Sequence, residues 1–179
     1  MTRGQIWLVS GVPGAGKSTI ARALCARYPK AIHISVDALR ELVISGHASP
    51  IEWSEETTRQ FALARRSAAH MAADYSDEDF VAVIDDVVRE EDLDQFAPYL
   101  AGRPLTKVVL IPSLDVVLAR NRVRRNKPFD TGVLEPVARR LYRSLLESCR
   151  GDSGWIAFDT TDLDVEESVT GLQHRVAQA

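Results

Sequence analysis

Four residues, Gly11, Gly16, Lys17 and Ser18, stand at the spacing G-x-x-x-x-G-K-[ST] and carry the clearest chemistry in the chain. Glycines at these positions let the backbone curl until successive N–H groups point at one anion. The helix that follows adds about half a positive charge at its N-terminus. Lys17 then reaches the β- and γ-phosphates of a nucleotide, and the Ser18 hydroxyl is offered to Mg²⁺. The motif needs a strand before it and a helix after it. Gln5 to Ser10 is apolar enough for a buried strand, and Thr19 to Cys25 carries apolar residues at helical spacing. An ordinary Gly-rich turn is the competing reading, and the complete motif in its proper context sets it aside. The segment Gly11, Val12, Pro13, Gly14, Ala15, Gly16, Lys17, Ser18 and Thr19 predicts binding of a nucleoside triphosphate.

A phosphate loop serves hydrolysis, switching and phosphoryl transfer alike, so other residues must choose among them. Asp37 closes the second apolar run, Ala31 to Ser35, at the sheet edge where phosphates lie. A carboxylate there can accept the proton of an attacking hydroxyl. Arg40, one helical turn on, can orient the acceptor or neutralise charge on the moving phosphoryl group. Aspartate is also a preferred helix cap, and capping is compatible with catalysis. Asp85-Asp86 follows four apolar residues like the acid pair that holds Mg²⁺ in such sites; Asp85 is the favoured ligand, and the role of Asp86 stays open. Arg120, Arg122, Arg124, Arg125 and Lys127 form the one dense basic segment, read as a lid over the triphosphate spanning about 120–132. A solvated helix face and a nucleic-acid patch are its alternatives.

Other signatures fail on inspection. Asn126 to Asp130 has its aspartate one residue late for guanine recognition, and no Asp-x-x-Gly follows the third strand. Thr19 stands where a dinucleotide fingerprint needs its third glycine. The four histidines and the cysteines Cys25 and Cys149 show no metal-ligand spacing. Cys25 is read as a small buried hydrophobe.

The chain of 179 residues suits one domain, 1–179, and its 45% hydrophobic content can fill a core. Only 7% is aromatic, so packing falls to Leu, Val, Ile and Ala. A net charge of −3 gives no global attraction to nucleic acid or to an anionic membrane. With no apolar run of membrane-spanning length and no signal peptide expected, the predicted location is the cytoplasm. Strands over 5–10, 31–35, 80–86, 105–111 and 155–158 alternate with helices. The helices include one from Ser54 to about Tyr75, one from Glu91 to about Leu100 and one capped by Ser113. This alternation predicts a three-layer α/β fold with a parallel sheet and ligand at the carboxyl ends of its strands.

Together, Gly11 to Thr19, Asp37-Ala-Leu-Arg40, Val83-Ile-Asp-Asp-Val87 and the arginine segment resemble the small P-loop kinases. The likeness is to the chloramphenicol phosphotransferase-like group and to the related polynucleotide kinase, gluconate kinase and zeta-toxin families. That resemblance implies a five-stranded sheet in the order 2-3-1-4-5, Mg²⁺ and ATP, and transfer of the γ-phosphate to an alcohol on a small molecule. It places the base at Asp37 with Arg40 at the acceptor. It makes Arg120 and Arg124 lid arginines and sets Thr160-Thr161-Asp162 near the adenine. No substrate pattern of the antibiotic kinase maps onto 46–66, so antibiotic, sugar, nucleoside and RNA end all stay open as acceptors. A polynucleotide 5′-hydroxyl kinase and a non-catalytic ATP-binding switch are the rival functions.

Overall fold

All five side chains of β1 (Ile6–Ser10) are buried, and so are those of β3 (Val81–Asp85) beside it. Continuously apolar strands of this kind are the mark of a parallel sheet covered on both faces. The computed structural model describes residues 3–123, 135–148 and 154–178. β2 (Ala31–Ser35), β4 (Leu105–Leu110) and β5 (Trp155–Phe158) complete a parallel sheet in the order β2-β3-β1-β4-β5.

The helices follow from that order. A right-handed crossover from β1 to β2 places α1 (Lys17–Cys25) on one face. The return steps to β3, β4 and β5 place α3 (Glu55–Asp77), α4 (Ala97–Leu100), α5 (Leu114–Val123) and α6 (Glu135–Ser148) on the other. α7 (Val165–Ala177) packs back against α1. α3 presents Ala64, Ala68, Ala69, Ala72 and Ala73 inward, a small-residue stripe that brings its backbone close to β2 and β3. The rest of the core is mainly Ile, Leu, Val and Ala, with Trp7, Phe96 and Trp155 among them.

Several local expectations need correction. The helix expected over 91–100 is two pieces, a 3₁₀ turn at Glu90–Gln95 and then α4. Pro98 lies in the first turn of α4; lacking an N–H, proline suits a helix start and not its interior. Thr57 is a full partner in the α3 cap: the Ser54 hydroxyl accepts from the Thr57 N–H at 3.1 Å, and the Thr57 hydroxyl accepts from the Ser54 N–H at 3.2 Å. α2 (Val36–Glu41) is capped by Ser35, not by Asp37, which falls inside its first turn.

Cys25 is only half-buried, yet burial pushes its thiol up to about 11. A raised folded-state value keeps its stabilising contribution intact below the unfolded value of 9.0 and loses it as pH rises toward 11. Urea unfolding between pH 8 and 11 is expected to show a steeper alkaline loss for the wild type than for Cys25→Ala. Parallel curves would contradict it. Cys149 lies outside the described residues.

Candidate active site

The phosphate loop runs from the buried end of β1 to the first turn of α1. Gly14 and Gly16 adopt φ values of 90° and 95°, which L side chains rarely enter. At Gly14 a Cβ would also come within 2.7 Å of the Val117 carbonyl on α5. Asn121, buried on α5, donates from Nδ2 to the Pro13 carbonyl at 2.8 Å and holds the loop from outside. Nothing in the sequence flagged Asn121, because it sits among arginines more than a hundred residues away. Lys17 Nζ donates to the Val12 carbonyl at 3.2 Å, so the ammonium lies across its own loop. A charge-assisted contact is worth about 1.5–3 kcal/mol. Lys17→Ala is therefore expected to weaken ATP binding about 10- to 100-fold, and unchanged titration calorimetry would remove Lys17 from the anion site.

The two adjacent acids serve different layers. Asp85 pairs in register with Val9 on β1 and with Ser35 on β2. Its carboxylate lies 2.5 Å from His33 Nε2 and accepts from the Ser35 hydroxyl at 3.4 Å. His33, Ser35 and Asp85 share a face because strand side chains alternate. Asp86 turns the other way, to Arg65 on α3, whose Nε approaches it at 2.6 Å. Arg65 Nη1 reaches Asp92 at 2.7 Å, and Nη2 donates to the Val87 carbonyl. Burial alone would lower the Arg65 pKa, but Asp86 and Asp92 outweigh it and the net shift is upward. Burial likewise works to raise Asp92, and Arg89 and Arg65 bring it below the ordinary carboxylate value. Asp85 is thus left on the α1 face, where Ser18 sits. Among the described residues no group of three or more His, Cys, Asp or Glu side chains is arranged to hold a metal.

Asp37 is exposed in the first turn of α2, one strand beyond Asp85, and it feels the charges of both Arg40 and Asp86. Arg40 has different surroundings from those expected. It is 3% exposed, donates to the Ala48 carbonyl at 2.9 Å and lies 3.9 Å over the Phe61 ring. Burial lowers its pKa, against the opposing pull of Asp37, Asp86 and Glu41.

On the other side of the loop, a cavity of about 170 Å³ lies between Ala15, Gly16 and Thr19 and the 160–168 segment. Arg120 borders it, with Nη1 3.9 Å from the place a Gly16 Cβ would take. Thr160 lines the same cavity, and its buried Oγ1 has no hydrogen-bond partner among the described residues. Arg122 reaches Glu135 instead. Arg124, Arg125, Lys127, the Asn126–Asp130 stretch and the rest of the expected lid from 124 to 132 lie outside the described residues.

These features define a P-loop kinase-type fold, and the solved structures like it agree. The tunicamycin resistance protein of Deinococcus radiodurans superposes with a TM-score of 0.65 at 20% identity, covering 97% of this chain and 96% of its own. A gluconokinase from Sinorhizobium meliloti gives 0.62 at 19%, covering 99% and 93%. The shikimate kinase of Bacteroides thetaiotaomicron gives 0.65 at 17%, covering 97% and 98%. The profile of the AAA domain family matches residues 6–147, and the chain belongs to that family. No curated protein sequence matches it. No described helix is long and apolar enough to cross a membrane.

Proposed function

We propose that the protein is an ATP-dependent phosphotransferase that moves the γ-phosphate to a hydroxyl group of a small molecule. Within the small P-loop kinases it belongs, on this reading, with the chloramphenicol phosphotransferase-like, polynucleotide kinase-like and zeta-toxin-like group. One observation supports it above the rest: the register that sets Asp85 between Val9 and Ser35. The loop leaves β1 just past Val9, and Asp37 follows just past Ser35, so anion cradle and acid flank the same carboxylate on one sheet edge. Neighbouring parallel strands stand about 4.8 Å apart, which leaves roughly 10 Å between cradle and acid for a phosphoryl group and an alcohol.

The chemistry is an in-line displacement. The acceptor oxygen forms a bond to the γ-phosphorus, the bond to the β–γ bridging oxygen breaks, and ADP departs with that oxygen. Asp37 takes the acceptor proton. Lys17 and the loop amides hold the phosphates, and Arg120 neutralises charge from the cavity side together with Arg124. The Ser18 hydroxyl and the Asp85 carboxylate, both hard oxygen donors, would be the residues to hold Mg²⁺. When bound, Mg²⁺ would neutralise charge on the β- and γ-oxygens. The unsatisfied Thr160 hydroxyl offers the adenine a hydrogen bond. In this reading the domain spans 1–179, residues 120–132 close over the nucleotide, and the protein works in the cytoplasm. Arg40 acts by fixing the segment beside the acceptor, since its guanidinium is committed to Ala48 and Phe61.

A screen with γ-labelled ATP over alcohols, sugars, aminocyclitols, nucleosides and oligonucleotides tests it. Label is expected in a small-molecule product. ATP binding with no labelled product in any class would leave the switch reading in its place.

A further inference from the structure

Five of the eight exposed large apolar side chains among the described residues, Leu42, Ile44, Ile51, Trp53 and Leu63, fall between positions 42 and 63. This stretch joins α2, which carries Asp37, to α3. Single exposed apolar residues need no explanation, but a concentration beside a reaction centre does. Ile44 is 93% exposed and Trp53 is 61% exposed.

Several polar groups of the same stretch turn inward. Gln60 accepts from the Ala48 N–H at 3.0 Å and donates to the Gly46 carbonyl at 2.7 Å. Thr57 donates to the Ser49 carbonyl at 3.0 Å, and Arg40 holds the Ala48 carbonyl. Residues 46–49 are thereby fastened to α2 and α3. Outward, the five apolar side chains stand among exposed polar ones such as Ser45, His47, Glu52 and Arg59.

The indole of Trp53 is held in place beforehand. Its Nε1 donates to the Thr58 hydroxyl at 2.8 Å, and its ring stacks on Phe61 at 5.1 Å with 11° between planes. The Arg40 guanidinium lies 3.9 Å over the same Phe61 ring. Cation, phenyl and indole form a column whose inner end is buried on Asp37's helix and whose outer end is the exposed indole.

We infer that this platform selects the acceptor, and that the acceptor is an alcohol bearing a flat unsaturated ring. The ring adds to the column at Trp53, while the hydroxyl reaches Asp37. This rests on the phosphotransfer reading and narrows it.

The test measures label transfer from γ-labelled ATP to 3-phenyl-1-propanol, tryptophol and uridine on one side, and to gluconate, shikimate and glucose on the other. Transfer to ring-bearing alcohols is expected to exceed transfer to the polyols. The free indole alcohol and the nucleoside separate the two sources of such a ring. In Trp53→Ala, KM for the best ring-bearing acceptor is expected to rise roughly tenfold, with kcat and the KM for ATP held. Trp53→Phe should restore most of it. Transfer confined to the polyols, or an acceptor KM unmoved in Trp53→Ala, overturns this inference and leaves the phosphotransfer reading standing. So does a dimer in light scattering that buries Trp53 and dissociates in Trp53→Ala. No transfer to any of the six alcohols overturns this inference, and the phosphotransfer reading falls with it only if the wider acceptor screen also yields no labelled product.

Discussion

Asp37→Asn is expected to lose about 100- to 10,000-fold in phosphoryl transfer, the usual range for removing a general base. ATP affinity should hold. The substitution keeps the size of the side chain, and the residue is exposed at the start of a six-residue helix capped by Ser35, so the fold has little to lose. Removing a negative charge from the first turn costs about 0.3–1 kcal/mol of helix stability. That is far smaller than the kinetic effect. An amide cannot accept the proton, so the acidic limb of the pH–rate profile should disappear with the activity. Steady-state transfer and ATP titration on one preparation decide the matter. Wild-type transfer in Asp37→Asn would end the assignment, and a parallel loss of ATP binding would move Asp37 from proton acceptor to scaffold.

The second large effect is on stability. Arg65→Met is expected to cost about 3–5 kcal/mol at neutral pH, because Asp86 would be left buried without a counter-charge and Asp92 would keep only Arg89. Both acids are almost fully buried, and Arg65 meets each within 2.7 Å. The deficit should depend on pH in a definite direction. With Arg65 in place, Asp92 is held below the ordinary carboxylate value, and its contribution is lost as pH falls through that lowered value. Asp86 lies above the ordinary carboxylate value even beside Arg65, because burial outweighs the cation, and losing Arg65 raises it further. The variant's deficit is then largest at neutral pH and shrinks as pH falls toward about 4. Urea unfolding at pH 7 and pH 4.5 measures the gap. A deficit that is small, or that widens on acidification, would show that Arg65 is not what balances these acids.

Much of the site was legible along the chain. The loop sequence implies both its conformation and its context, because glycine spacing encodes backbone geometry within a few residues. The strand order came with the resemblance. Arg65 is another matter: the sequence shows an arginine on a long helix, and its partners Asp86 and Asp92 come from other elements. The meeting of His33 with Asp85 escaped because a strand order names neighbours but not the register that sets His33 and Ser35 beside Asp85. Asn121 carries no local pattern at all. Ser54 and Thr57 form a capping box, although the motif is usually written with an acid, because a hydroxyl can accept the same N–H bond.

The doublet at the end of β3 carries a further lesson. Two like acids side by side look interchangeable, yet one belongs to the nucleotide side of the sheet and its neighbour to the buried arginine. Inserting or deleting a single residue within β3 would flip both. A deletion would set Val87 opposite the arginine, and an insertion would put Ile84 where Asp85 meets His33 and Ser35. The spacing of β3 is therefore fixed from two sides at once, by the His33–Ser35–Asp85 cluster and by the buried arginine.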